Sequence, residues 1–144
     1  MSGTVDVASL PAAQAVNIWA QQSFSNYVAI KSVYTNTGAR PVVLTAMSAS
    51  VYSSAPCSTT GPVTASFDVV NQPGGTVGGP NTASIEAPFN GARARIPSAG
   101  CTWTAKFSGS IVVGPGQSLD GYAELNTQSP AGFNVYWSAS GHEL

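Results

Sequence analysis

From Cys101 to Val113 the chain alternates. Cys101, Trp103, Ala105, Phe107, Gly109, Ile111 and Val113 share one parity, Thr102, Thr104, Lys106, Ser108 and Ser110 the other, and only Val112 breaks the polar run. Successive side chains of a strand point to opposite faces, so the pattern predicts one long β-strand with a buried and a wetted side. Gly114-Pro115-Gly116-Gln117 predicts a turn, and the alternation resumes through Leu119, Gly121, Ala123 and Leu125. The two segments read as an antiparallel hairpin.

Residues 1–15 follow neither the helical nor the strand period and are expected to form an extended N-terminal arm, suited to docking on a neighbour, or a strand that adds late. A single domain is expected over 16–144. Val16, Ile18 and Ala20 share a face, with Trp19 on the opposite one. Residues 27–35 predict a second strand, closed by Asn36-Thr37-Gly38. In residues 41–53, PVVLTAMSASVYS, both parities are apolar at the start, so either face could be the buried one. Further strands are expected at 63–70, 83–87, 92–96 and 133–139, with loops at the Gly- and Pro-rich stretches between them. About eight short strands separated by turn residues, with no helical period, predict an all-β, single-domain antiparallel β-sandwich or jelly roll.

Composition narrows the range of jobs. Charged residues are only 8% of the 144, the net charge is -1 and mean hydropathy is +0.10. A usual domain is about 25% charged, so hydroxyls and amides must keep this surface wet. Lys31, Arg40, Arg93, Arg95 and Lys106 are scattered, which offers no basic stripe for nucleic acid. The first twenty residues contain no basic leader and no long apolar run, so neither export nor membrane insertion is expected and synthesis is read as cytosolic. In that setting Cys57 and Cys101 are expected as separate buried thiols, with a disulfide between them as the alternative.

No catalytic motif stands out, and no cofactor or metal is expected. The one histidine, His142, reads as a surface residue, and Gly116-Gln117-Ser118-Leu119-Asp120-Gly121 fails the nucleophile-elbow pattern. Asp120 and Glu124 share a strand face but lie about 13 Å apart, too far for a glycosidase pair. Asp68 or Glu86 could approach either of them in space, which leaves that exclusion short of absolute; two cysteines and a distant histidine do not make a zinc site, and the sequence shows no acidic cluster for calcium. Arg93 and Arg95 could grip an acidic partner or serve as charged guards of a strand edge. Trp103 and Trp137 fall on buried faces, whereas Trp19, flanked on its face by Asn17 and Gln21, is the expected exposed aromatic.

Gly114–Leu119, Asn134–Gly141 and the terminal Glu143-Leu144 together resemble the C-terminal strand pattern of small virion structural proteins of tailed bacteriophages. The stretch from Tyr27 to Val43, with its Asn-Thr-Gly turn, is similar to the opening of such β-sandwich modules. The resemblance implies a non-enzymatic decoration, head-fibre or tail-associated protein located in the virion. Its partner would be a major capsid or tail protein, and the chain would form a homo-oligomer, a trimer above others. The alternative is a carbohydrate-binding, lectin-like module using Trp19, Tyr27, Tyr122 or Tyr136. Two of these aromatics close together on an exposed face would favour it.

Overall fold

The computed structural model describes residues 13–24, 28–53, 62–71, 81–94, 100–125 and 133–144. They form ten strands: β1 (Ala15–Phe24), β2 (Val28–Thr35), β3 (Val42–Ser53), β4 (Pro62–Val70), β5 (Asn81–Pro88), β6 (Asn90–Ala94), β7 (Cys101–Lys106), β8 (Ile111–Val113), β9 (Ser118–Leu125) and β10 (Phe133–Glu143). One sheet has the order β1-β10-β3-β7-β6 with β8 also on β3, and the other β2-β9-β4-β5. Every pairing is antiparallel, and the pairings nest: β1 with β10, β2 with β9, β3 with β7 and β8, β4 with β5. A long hairpin folded over in this way into two sheets is a jelly roll.

The sheets bury their inner faces against each other. Trp137, Phe67, Leu44 and Leu119 are the largest fully buried side chains, and Phe67 meets Phe107 with ring centroids 5.1 Å apart. Trp137 of β10 lies across Gly121 of β9, where a Cβ would stand 2.7 Å from the indole. A side chain there would push the two sheets apart, so the strand takes glycine.

The stretch 101–113 is two strands rather than one. Ser48 pairs with Lys106 and Leu44 with Ile111, so three residues of β3, 45–47, face four, 107–110. The extra residue is absorbed in a bulge, where Gly109 takes φ of 102° and the Phe107 amide still donates to the Met47 carbonyl at 3.2 Å. Toward β10, Ser140 pairs with Ala46 but Gly141 with Leu44, which leaves Thr45 as an extra residue on β3. That shift resolves the two-sided start of β3. Val42 and Leu44 point inward before it, Met47, Ala49 and Val51 after it, and Thr45 and Ala46 are both exposed between.

Other boundaries also move. β10 runs on to Glu143 rather than stopping at Ala139. Of the expected arm, residues 1–12 lie outside the described residues, Ala15 already belongs to β1, and Gln14 exchanges bonds with Glu143 through its amide (3.0 Å) and carbonyl (2.9 Å). Cys101 is fully buried and disulfide-bonded, which corrects the expectation of free thiols; Cys57, the only other cysteine in the sequence, lies outside the described residues. The predicted Gly-Pro-Gly-Gln turn forms. Gln117 N donates to Gly114 O at 3.0 Å and Gly116 has φ of 79°, the signature of a type II turn with proline second and glycine third.

Candidate binding face

The outer face of the six-stranded sheet takes its character from the polar parity of its strands. Cross-strand register arranges those positions in rows. Gln21 pairs with Tyr136, Tyr136 with Ser50 and Ser50 with Thr104; next to them Trp19 pairs with Ser138, Ser138 with Ser48 and Ser48 with Lys106. The side chains of the two rows are hydroxyls, amides and aromatics together with the Lys106 ammonium, with no carboxylate among them.

Trp19 is 68% exposed. Its ring lies diagonally across from Tyr136, centroids 6.0 Å apart and planes tilted by 42°. Beside this pair Asn134 Oδ1 accepts from Ser23 Oγ at 2.6 Å and from Gln21 Nε2 at 3.0 Å, and Gln21 Nε2 also reaches Ser23 Oγ at 3.2 Å. The amide–hydroxyl cluster is thereby held in place before any ligand arrives. On the other side of the Trp19–Ser138 pair a groove of about 330 Å³ is lined by Ala46, Met47, Ser48, Lys106, Ser138 and Ser140, among others. Its hollow follows from the sequence. Thr45 and Ala46 are displaced by the bulge, and four of the seven lining residues, Ala46, Ser48, Ser138 and Ser140, are too small to fill it, while the large Met47 and Phe107 are buried.

No protein-family model, curated protein or solved structure matches this chain.

Among the described residues, the others expected at a site do not join this cluster. Arg93 occupies a β6 position paired with Thr102, its side chain outside what is described, while Arg95, Cys57 and Tyr27 lie outside the described residues altogether. Trp103 and Trp137 are buried in the core, and His142 is exposed near the end of β10.

Tyr122 sits on the outer face of the four-stranded sheet, not with Trp19, and around it Asp68 and Glu86 share a face with Asp120 and Glu124, an approach that the sequence left open. Asp68 pairs directly with Asp120, Glu86 with Ser66 and Glu124 with Thr64, so four of the six acidic residues converge on that face around Tyr122. Burial, and then the charges of Glu124, Asp68 and Glu86, raise the Tyr122 phenol above its ordinary value. Asp68 is held by Ser84 Oγ at 2.6 Å and Ser66 Oγ at 3.4 Å. Among the described residues no three metal-ligating side chains are grouped so as to hold an ion.

The sequence could nominate Trp19 from parity alone. It could not supply Tyr136 as its neighbour, because that depends on the register between two strands more than a hundred residues apart in the chain.

Proposed function

We propose that this protein is a non-enzymatic binding module that takes carbohydrate on the outer face of its six-stranded sheet. The observation that carries the reading is the exposed Trp19 beside Tyr136, 6.0 Å apart on a hydroxyl- and amide-lined surface. An indole left in water leaves a large apolar surface uncovered, and a sugar ring offers a matching C–H face edged with hydroxyls. Those hydroxyls can both donate and accept. Gln21, Ser23 and Asn134 present amide and hydroxyl groups of the same double capacity next to the ring.

The test is an oligosaccharide titration followed by tryptophan fluorescence. Trp103 and Trp137 are buried, so a ligand-dependent change in the native protein should come from Trp19. Trp19→Ala should abolish the change and weaken binding at least tenfold, about 1.4 kcal/mol. Its melting temperature should stay close to that of the native protein, because substitution at an exposed site costs within about 0.5 kcal/mol. Unaltered glycan binding by Trp19→Ala would discard this face.

A second reading is supported by the phage-like C-terminal motifs and by the position of Trp19 on β1, an edge strand of its sheet. In it the chain is a virion structural protein, trimeric by preference, that docks on a major capsid or tail protein with Trp19 and the exposed Val112 in the contact. Light scattering and co-sedimentation with shells separate the two. Loss of oligomer or of shell binding in Trp19→Ala favours the virion contact, and retention of both with loss of glycan favours the carbohydrate face.

A further inference from the structure

Resting on the carbohydrate reading, we infer that the ligand is an anionic saccharide, with its charged substituent carried to Lys106. Trp19, Ser138, Ser48 and Lys106 occupy one row across four neighbouring strands. Adjacent strands lie about 4.8 Å apart, so three steps set the ammonium-bearing position about 14 Å from the aromatic one. Two to three linked sugar rings span such a distance. A ring stacked on Trp19 therefore directs the next residues of its chain over Ser138 and Ser48 into the groove that Lys106 borders.

Charge gives the groove its preference. No carboxylate joins Lys106 in that row, and among the described residues no ion pair engages its ammonium. Four of the acids sit on the outer face of the opposite sheet, on β4, β5 and β9, with the core between. A cation at the far end of a groove with serine hydroxyls and no carboxylate among its described lining selects a ligand that is neutral where it meets Trp19 and negative one or two rings further on. Ser48, Ser138 and Ser140 around it supply hydroxyl donors for the same oxygens. A uronic-acid carboxylate and a sulfate ester share this chemistry.

The experiment compares matched probes on the whole protein. The first pair is a hexuronic-acid trisaccharide and its carboxyl-reduced, neutral counterpart, the second a sulfated trisaccharide and its desulfated form, drawn from the sugars that an array of neutral and acidic glycans shows to be retained. At low ionic strength the native protein should bind the charged member of one pair about three- to fivefold more tightly, the range of an exposed ion pair, and the preference should fade with added salt. Lys106→Met should remove the preference, and Lys106→Arg should keep it. Whichever pair shows the effect names the anion. Equal affinity for both members of both pairs would overturn the inference while leaving the carbohydrate face standing. Retention of no glycan at all, neutral or acidic, would overturn both.

Discussion

Asn36 shows how much one polar residue can hold in a chain so poor in charge. It is 2% exposed, and its side-chain amide donates to the carbonyls of Arg40 at 2.8 Å and Val113 at 3.0 Å, while Oδ1 accepts from Gly38 N at 3.0 Å. Its backbone adds bonds to Gln117 O at 2.9 Å and from Gly116 N at 2.8 Å. The β2–β3 turn and the β8–β9 turn are thus joined through one residue. Asn36→Ala strands buried carbonyls and should cost about 1–3 kcal/mol in urea denaturation. Asn36→Asp keeps the acceptor but loses both donated bonds and buries a charge, so it should cost no less. At this scale the sequence showed Asn36 only as turn punctuation, because its partners Val113 and Gln117 are some eighty residues away. Trp19, Trp103 and Trp137, by contrast, could be sorted into exposed and buried from the identity of their immediate neighbours.

Among the elements, the bulge on β3 decides the shape of the binding face and depends on Gly141. A Cβ on Gly141 would run into the Val43 carbonyl and stand 2.8 Å from Leu44 Cα, so β3 and β10 approach closely where their register slips. Gly141→Ala should cost about 2–4 kcal/mol by denaturant titration and deform the groove between Ala46 and Ser140. Gly116→Ala is the control. Its φ of 79° is unfavourable for a side chain, but nothing lies within 4 Å of the added atom, so the cost should be about 1–2 kcal/mol. Strand existence was legible nearly everywhere because alternation is a local property. The slip at Thr45 was not: in Pro41–Ser53 both parities carry apolar residues, and only the positions of β10 and β8 decide which valine or leucine turns inward. The break between β7 and β8 was hidden for a related reason, since Phe107, Ile111 and Val113 keep one parity across it.

For the whole molecule, the class was readable and the order was not. Turn spacing pointed to a sandwich, but nested pairing arises only when sequence-distant strands meet, and that same pairing gathers Asp68, Glu86, Asp120 and Glu124 on one face and leaves Lys106 on the other. The cysteine state was misjudged because it was inferred from a presumed compartment rather than from geometry. Reduction of the disulfide that holds Cys101 should lower stability by about 2–5 kcal/mol, seen as a lower urea midpoint with reductant present. An unchanged midpoint would mean that the cross-link contributes nothing to the fold. The outermost tier of the roll has one more consequence, and it concerns time. Ala15 pairs with His142, so a nascent chain presents β1 to solvent until 127 further residues have been added (142 − 15). At roughly 5–20 residues per second that is about 6–25 s during which the ribosome holds an unmatched strand bearing Trp19. Closure of this outermost tier must then wait for β10, which makes the pairing of longest sequence separation the last that synthesis allows.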